Sequence, residues 1–295
     1  MANKKIFVTG GSGFIGRNIV EYFSGKAEVL APSHQELELL DEDAVKRYLD
    51  RHEIDVVIHA AVRPGHRNAK DPANQLDHNC RMFFNLVRNA GRFKKLIYLS
   101  SGAAYDQRHY RPKMKEEYFD SHVPADELGF SKYISAKYIG QSKNMVELRI
   151  FGVFGKYEDY SIRFISNMIC KSLFGLPLTM KQDRQFDYIS IDDLMPVLEY
   201  FVGHEGKFKA YNVTPDRSVG LMELAWLVRR ISGRDLAVTV AKPGQGAEYS
   251  GDNSRLRAEI RGLAFTPLEA AVRRLYAWYS DNRPALNKEL LLNDK

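Results

Sequence analysis

Residues 9–16 read Thr9-Gly10-Gly11-Ser12-Gly13-Phe14-Ile15-Gly16, a glycine-rich string near the start of the chain. It follows a short apolar run at residues 6–9 and opens a segment with helical periodicity at residues 14–23. Glycines at 10, 13 and 16 permit a tight turn, a close approach of the backbone to a diphosphate, and close packing of helix on strand. The amides at the start of the helix then face the anion. The sequence therefore predicts a dinucleotide-binding loop.

Short apolar strands alternate with helical segments through the first half of the chain. The strands are predicted at residues 6–9, 28–31, 55–59, 95–100 and 146–151, and the helices at residues 14–23, 43–51, 73–90 and 129–142. Such alternation is typical of βαβ units, which form a parallel sheet covered on both faces. We therefore predict an α/β fold with a Rossmann-type doubly wound parallel sheet.

After about residue 152 the alternation is lost, and a smaller C-terminal α/β substrate domain is expected. Helices are predicted at 162–173, 192–201, 221–231 and 268–279, and short strands at 178–180, 186–189, 210–213 and 237–240. Residues 242–251 are predicted to form a loop. We assign residues 1–152, with returning segments near 186–213, to an NAD(P)-binding domain. Residues 153–285 form the interleaved substrate domain, and residues 286–295 a frayed polar tail.

The composition excludes several classes of protein. Of 295 residues, 44% are apolar and 27% are charged, which is ordinary for a globular chain and not for a disordered one. The net charge is +6, but the basic residues are scattered, so no nucleic-acid partner is expected. No apolar run approaches the length of a membrane span. Two cysteines cannot form a disulfide framework, so we expect a reducing compartment and a cytoplasmic protein. The eight histidines are scattered without metal-ligand spacing, so no metal site is expected.

The string TGGSGFIG resembles the extended short-chain dehydrogenase/reductase superfamily, which contains the epimerases, dehydratases and 4-ketoreductases of nucleotide sugars. The resemblance covers roughly residues 4–280, because further family motifs follow in the usual order. They are HAA (59–61), Asn79 with Asn85-Leu86, IYLSSGAAY (97–105), LRIFGVFG (148–155), FDYISIDD (186–193) and YNV (211–213). The order and spacing of these motifs are more specific than any one of them.

The resemblance implies a set of cofactor-binding residues: Gly10, Gly13, Phe14, Ile15, Gly16, Ser33, His34, Asp41, Ala60, Ala61, Asn79, Leu99, Lys132 and Phe151. The end of the second strand bears on the choice of cofactor. A carboxylate there holds the ribose 2′-hydroxyl of NAD(H), but here none occurs before Glu36. Ser33 and His34 can donate to a 2′-phosphate instead. NADP(H) is therefore favoured over NAD(H), and Asp41 is expected to face the adenine.

By the same resemblance, Ser101 hydrogen-bonds the reacting oxygen, and a Tyr-x-x-x-Lys pair on a helix supplies the proton and holds the nicotinamide ribose. Two alignments compete for that pair. The literal pair is Tyr133 with Lys137, whereas the family string Tyr-Gly-x-Ser-Lys aligns Leu128 with the tyrosine and Lys132 with the lysine. The interval of 27 residues from Ser101 to Leu128 is nearer to the family spacing. Five helical residues rotate a side chain by about 140°, so only one alignment can serve the site.

The substrate motifs also depart from the family. Gly152 replaces an asparagine that contacts the substrate phosphates, and Phe186 replaces an arginine. Arg184 and Arg217 are the candidates to bind the substrate in their place.

We expect an NAD(P)-dependent oxidoreductase or epimerase of a nucleotide-activated sugar, acting by 4-ketosugar reduction or epimerisation. The alternative is a cofactor-binding homologue with little or no turnover, because leucine cannot transfer a proton. The resemblance also implies a homodimer formed by the helices predicted at 73–90 and 129–142.

Overall fold

The computed structural model describes residues 4–64 and 73–292, which form an α/β structure. The strands are β1 (Lys5–Thr9), β2 (Glu28–Leu30), β3 (Ile54–His59), β4 (Phe93–Ser101), β5 (Met145–Ile150), β6 (Val153–Phe154), β7 (Leu178–Asp183), β8 (Gln185–Phe186), β9 (Ile189–Ser190), β10 (Ala210–Val213), β11 (Val219–Gly220) and β12 (Val238–Gln245). The helices are α1 (Phe14–Phe23), α2 (Glu42–Arg51), α3 (Gln75–Val87), α4 (Glu127–Gln141), α5 (Phe164–Leu173), α6 (Ile191–Gly203), α7 (Leu221–Ser232), α8 (Ser254–Glu259) and α9 (Leu268–Asp281).

Six strands form one sheet in the order β10-β5-β4-β3-β1-β2. Every neighbouring pair in it is parallel. Helices α1 and α6 pack on one face of the sheet, and α2, α3 and α4 pack on the other. The predicted doubly wound parallel sheet is therefore confirmed. Because all six strands run in one direction, their carboxyl ends meet at one edge, which is where such sheets bind ligands.

The C-terminal part has its own apolar core between α5, α7, α9 and β7. Short strand pairs complete it: β7 with β12, β8 with β11, and β6 with β9. Strand β10 belongs to this part of the sequence, but it pairs with β5 in the large sheet. The boundaries assigned to the two domains stay a prediction.

Three predicted elements are wrong. The strand predicted at residues 186–189 is two separate strands, β8 and β9, because Asp187 and Tyr188 leave the ladder between them. The loop predicted at residues 242–251 begins as strand, since β12 pairs with β7 as far as Gln245. The tail predicted from residue 286 contains a 3₁₀-helix at Lys288–Leu291, and Leu291 is buried in the second core.

Helix ends near the predicted site are fixed by capping. Asp126 caps α4 by accepting a hydrogen bond from the amide of Gly129 at 2.8 Å. A Cβ atom on Gly129 would lie 2.8 Å from the carbonyl oxygen of Ala103, so glycine lets α4 approach the end of β4. Helix α4 therefore begins directly beside Ser101. Within residues 4–64 and 73–292, no helix is long and apolar enough to cross a bilayer.

Candidate active site

The glycine loop has the geometry of an anion cradle. Gly10 has φ +68°, and a Cβ atom on it would lie 2.8 Å from the backbone nitrogen of Ala61. A Cβ atom on Gly16 would lie 2.0 Å from the carbonyl oxygen of Gly10, so the turn accepts no side chain at either position. Gly13 is the N-cap residue of α1. Because it has no side chain, it makes no capping hydrogen bond to the amides of the first turn. The amides of the first turn can therefore donate hydrogen bonds to a diphosphate. The positive end of the helix dipole attracts that anion, and the first turn carries no acidic residue that would repel it.

The segment after β3 is fixed beside this loop. The hydroxyl of Thr9 lies 2.7 Å from His59 Nδ1 and accepts a hydrogen bond from the amide of Ala61 at 3.2 Å. The side-chain amide of Asn79 makes two hydrogen bonds to the backbone of Arg63. Its oxygen accepts from the amide of Arg63 at 2.7 Å, and its nitrogen donates to the carbonyl of Arg63 at 3.2 Å. Burial, together with the charge of Lys132, lowers the pKa of His59 to about 3, so its imidazole is neutral. These bonds keep Ala60 and Ala61 against the glycine loop.

The residues predicted to select the cofactor lie on the exposed turn after β2. The amide of Ser33 donates to the carboxylate of Glu36 at 2.7 Å. His34 Nε2 lies 2.8 Å from the carboxylate of Glu38, and the imidazole is largely exposed. Asp41 caps α2 by accepting from the amide of Ala44 at 2.9 Å. The turn thus carries two donors, each next to an acidic residue that lowers its attraction for a phosphate.

The two candidate Tyr/Lys alignments lie on different sides of α4. Lys132 is buried on the inward face with Ala136 and Ile139, and its Nζ lies 3.4 Å from the carbonyl oxygen of Leu99. Lys137 lies outside, with its Nζ 2.7 Å from the carboxylate of Asp120. The hydroxyl of Tyr133 donates to that same carboxylate.

The half-buried Leu128 lies four residues before Lys132, and therefore on the same side of the helix. Ser101 ends β4, where its hydroxyl accepts a hydrogen bond from the amide of Ala103 at 3.2 Å. Ser101 and Lys132 are thus brought to one edge of the sheet, whereas the half-buried Tyr133 and the exposed Lys137 lie on the outer side of α4.

A polar layer lies beneath Lys132, between α4 and the sheet. Glu147 on β5 is paired in register with Tyr98 on β4, and both are buried. One oxygen of Glu147 accepts from Arg149 Nε at 2.9 Å and Nη2 at 2.8 Å. Its other oxygen has no hydrogen-bond partner within the described residues. Burial lowers the pKa of Lys132 to about 8, and the negative charge of Glu147 opposes that shift.

The side of the site that would receive a substrate is aromatic. Phe151, Tyr105, Met114 and Tyr249 form a buried cluster beyond β5, with Phe186 and Tyr110 packed against it. A Cβ atom on Gly152 would lie 2.1 Å from the carbonyl oxygen of Asp187, so no asparagine fits there.

The two arginines proposed to bind substrate differ in their surroundings. Arg217 forms an ion pair with Glu223 at 3.3 Å, and both side chains are exposed. The half-buried Arg184 lies against residue 246, since its Nε would be 3.4 Å from a Cβ atom on Gly246.

Sequence reasoning missed two features of the site. Tyr249 lies in a stretch that composition marks as a loop, and its place beside β4 depends on tertiary contacts. Glu147 interrupts an apolar strand, which is a signal that could have drawn attention to it. Within residues 4–64 and 73–292, no group of three or more His, Cys, Asp or Glu side chains could hold a metal ion.

Comparisons with known proteins find a matching family, partly similar relatives and similar folds. The family described as NAD dependent epimerase/dehydratase matches residues 6–214. The GDP-L-fucose synthase of Azorhizobium caulinodans is 38% identical over 107 residues, which cover 35% of this chain and 34% of that protein. The GDP-L-colitose synthase of Yersinia pseudotuberculosis is 28% identical over 183 residues, covering 57% and 59% of the two chains. The matched stretches therefore span less than two thirds of either relative.

Solved structures share the fold over nearly the whole chain. A GDP-6-OMe-4-keto-L-xylo-heptose reductase from C. jejuni superposes with a TM-score of 0.83 at 19% identity, covering 96% of this chain and 99% of that one. A GDP-L-fucose synthetase from Naegleria fowleri, bound to NADP, gives a TM-score of 0.84 at 15% identity, covering 97% and 95%. At these identities the likeness establishes the fold.

Proposed function

The chain belongs to the NAD dependent epimerase/dehydratase family, and on that premise we propose that it reduces or epimerises a 4-keto form of a nucleotide-activated sugar, using NAD(P)(H). One observation carries the proposal. Lys132 is buried at the carboxyl edge of the sheet, with its Nζ on the carbonyl of Leu99, two residues before Ser101. A lysine in that place, together with a side-chain-free glycine cradle, fits a bound nicotinamide nucleotide.

The role of each residue follows from its position. The first-turn amides of α1 hold the diphosphate, Lys132 binds the nicotinamide ribose, and the hydroxyl of Ser101 holds the reacting oxygen. When bound, the nicotinamide supplies or accepts a hydride. Lys132 is well suited to a ribose hydroxyl, because its ammonium has three donors and the carbonyl of Leu99, at 3.4 Å, accepts one of them weakly. The alignment with Leu128 and Lys132 is therefore preferred over Tyr133 and Lys137.

The cofactor is proposed to be NADP(H), favoured over NAD(H). Ser33 and His34 are the donors for a 2′-phosphate, and the site lacks the carboxylate at the end of β2 that would repel one. The bound NADP of the Naegleria fowleri structure supports the same choice. Glu36 and Glu38 moderate the preference, because each lies close to one of the donors.

The substrate is proposed to be a nucleotide diphosphate sugar. Two of the relatives are named as synthases of GDP-linked sugars, GDP-L-fucose and GDP-L-colitose, so a guanine nucleotide is the first choice. Arg184 lies against Gly246, three residues before Tyr249 of the aromatic cluster, and we propose that it binds the substrate phosphates. Arg217 is largely exposed on the surface, so it is the weaker candidate.

The leucine at position 128 supports a second candidate function, cofactor binding with little or no turnover. Leu128 stands four residues before Lys132, where a proton-donating tyrosine would be expected. Losing such a group lowers a rate by about 10²–10⁴-fold. A protein that binds NADP(H) with little or no turnover would fit this leucine. It would serve as a regulatory or partner subunit.

The test compares Lys132→Met with the matched control Lys137→Met. NADPH binding is measured by calorimetry, and turnover by NADPH oxidation with a GDP-4-keto-6-deoxyhexose. Lys132→Met should weaken NADPH binding at least tenfold, because a hydrogen bond from a charged donor contributes about 1.5–3 kcal/mol. Lys137→Met should change nothing, since its partner is the exposed Asp120.

Each other outcome has a definite meaning. A loss confined to Lys137→Met would show that Tyr133 and Lys137 form the catalytic pair. Tight NADPH binding by the wild-type protein without turnover on the ketosugar would favour the non-catalytic function. No NADPH or NADH binding at all would overturn both.

A further inference from the structure

A buried carboxylate, that of Glu147, lies on the face of the sheet that α4 covers. Glu147 is on β5, paired in register with Tyr98 on β4. Tyr98 belongs to the apolar core on the α3 and α4 side, and so does Met145, two residues before Glu147 on the same strand. Because alternate residues of a strand share a face, Glu147 projects to that side as well. It is only 1% exposed, and an ionised carboxylate so deeply buried is costly unless positive charges compensate it.

Arg149 compensates one of the two oxygens of this carboxylate. Its Nε and Nη2 donate to the same Glu147 oxygen, at 2.9 and 2.8 Å, and its Nη1 donates to the hydroxyl of Tyr105 at 2.9 Å. The second oxygen of Glu147 is shielded from solvent and has no hydrogen-bond partner within residues 4–64 and 73–292. The hydroxyl of Tyr98 forms its side-chain hydrogen bond with Ser135 on α4. Half of this buried acceptor is therefore left without a hydrogen bond.

The ammonium of Lys132 is the second cation beside Glu147. Its Nζ lies 5.4 Å from the centre of the Tyr98 ring and 3.4 Å from the carbonyl oxygen of Leu99. Burial lowers the pKa of Lys132 to about 8, and the negative charge of Glu147 raises it against that effect. The two buried charges therefore attract each other across the layer that contains Tyr98.

The other ionisable side chains around Tyr98 are neutral. His59 on β3 is paired in register with Tyr98, and its ring stacks on that tyrosine at 5.6 Å between centroids. Burial and the charge of Lys132 lower the pKa of His59 to about 3, so its imidazole is uncharged. Burial raises the pKa values of the Tyr98 phenol and of the Cys80 thiol on α3, so both keep their protons. Glu147 is therefore the anion that acts on Lys132.

We propose that Glu147 is a positioning residue for the cofactor, which keeps the buried Lys132 charged so that this lysine can donate to the nicotinamide ribose. The inference rests on the proposed function, in which Lys132 binds that ribose. The attraction acts at a distance, because the free oxygen of Glu147 accepts no hydrogen bond from Lys132 or from any other described residue. A direct salt bridge would occupy the donors of the ammonium. Here they stay available for the ribose hydroxyls.

The first experiment measures the charge of Lys132 directly and without cofactor. Protein labelled with ¹³C at the lysine Cε atoms is titrated by NMR, and the Lys132 signal is identified by its absence from Lys132→Met. Glu147→Gln keeps an acceptor for Arg149 but removes the charge, so the midpoint of the Lys132 titration should fall by about one pH unit or more. Glu147→Asp keeps the charge and should hold the midpoint within about half a pH unit of the wild type.

The matched control is Glu116→Gln. Glu116 is also a buried glutamate, and it accepts from the amide of Asn212 at 2.8 Å and lies 3.8 Å from Arg255. Glutamine keeps the acceptor for that amide. Glu116→Gln removes a buried negative charge that does not act on Lys132, so the Lys132 midpoint should stay at its wild-type value.

The second experiment connects the charge of Lys132 to the cofactor. The affinity for NADPH is measured by calorimetry between pH 6.5 and pH 9. It should fall in the wild type as the pH rises through about 8, because Lys132 then loses its proton. In Glu147→Gln the fall should begin at a lower pH. The variant should therefore bind about threefold or more weakly than the wild type at pH 8, and nearly equally at pH 6.5. A merely structural role for Glu147 would weaken binding by the same factor at both pH values.

The failures are distinguishable. A wild-type Lys132 that titrates below pH 7 would overturn the inference without any variant, because the lysine would then be uncharged at neutral pH. An unchanged Lys132 midpoint in Glu147→Gln, or an equal fall in Glu116→Gln, would overturn the inference and leave the proposed function standing. A pH-independent loss of NADPH affinity in Glu147→Gln would do the same. A wild-type protein that binds neither NADPH nor NADH would end the proposed function, and this inference with it.

Discussion

The amino group of Lys132 on α4 lies 3.4 Å from the carbonyl oxygen of Leu99 on β4, which ties the helix to the carboxyl edge of the sheet. This relationship sets the orientation of the helix. With Lys132 turned inward, Tyr133 and Lys137 must face outward, and both contact Asp120. Sequence spacing alone left the two alignments open, and the burial of Lys132 favours the alignment of Leu128 with Lys132.

The buried charge of Lys132 should destabilise the protein in the absence of cofactor. Burial lowers the pKa of Lys132 from 10.5 to about 8. Keeping the ammonium protonated at pH 7 therefore costs about 3 kcal/mol, at about 1.4 kcal/mol for each pKa unit. Replacing it by methionine, which is apolar and similar in length, should raise the free energy of unfolding by roughly this amount at pH 7.

The sign of the pH dependence follows from proton binding. Between about pH 8 and 10.5 the unfolded chain holds the lysine proton and the folded chain does not, so this group makes the wild type more stable as pH rises. The advantage of Lys132→Met should therefore shrink over that range. Urea unfolding at pH 7 and pH 10 measures it, with Lys137→Met as the control. A Lys132→Met variant less stable than the wild type at pH 7 would contradict the prediction.

Leu128→Tyr tests whether the leucine limits activity. If Leu128 stands at the position of the family tyrosine, the new hydroxyl lies four residues before Lys132 and should raise kcat at least tenfold. NADPH oxidation with a GDP-4-keto-6-deoxyhexose measures this. A variant that only depresses an existing activity would show that the leucine is compatible with full catalysis. It would end the idea that the chain lost its function at this position.

The sheet was predictable because its signals are local. Apolar runs at residues 54–59 and 145–150 alternate with amphipathic helices, and this periodicity alone indicates parallel strands. Strands β8 and β9 were merged in the prediction because both are two residues long and only the kink at Asp187 separates them. Leu291 was assigned to a frayed tail, since the four-residue helix that buries it has no periodicity to detect.

The glycine loop was predictable for the same reason, and the rest of the site was not. Gly10, Gly13 and Gly16 lie close together in sequence, so their spacing reports the turn directly. Tyr249 and Gly102 are 147 residues apart, and their contact depends on how the C-terminal part folds back over β4. No pattern in a single sequence encodes such a distance.

The choice between NADP(H) and NAD(H) should depend on His34. Its imidazole is exposed on the turn after β2 and is one of the two side chains proposed to donate to a 2′-phosphate. His34→Ala should therefore weaken NADPH binding about threefold to tenfold and leave NADH binding unchanged. Calorimetry with both nucleotides measures the ratio, and His52→Ala, at the end of α2, serves as the control. Equal effects on the two nucleotides would refute a phosphate contact.

Helices α3 and α4 should pair with the same helices of a second copy. They pack on each other, and their outer side carries a groove of about 450 Å³ whose lining includes Cys80, Phe84 and Ile134. Tyr138 beside it is 39% exposed, with its ring 5.6 Å from that of Phe84. Asp77, Arg81 and Arg88 also line the groove, and a groove that combines apolar and charged side chains on two adjacent helices is suited to a four-helix interface.

Ile134→Glu places a charge among the apolar residues of that groove and should convert the expected dimer to a monomer, because the carboxylate would lose its water in the interface. Sedimentation velocity over a range of concentrations measures the change. Trp226→Gln is the control, since Trp226 is 45% exposed on α7, away from α3 and α4. If the wild-type protein sediments as a monomer at every concentration, the pairing is refuted. If Trp226→Gln breaks the dimer and Ile134→Glu does not, the interface lies on the C-terminal part instead.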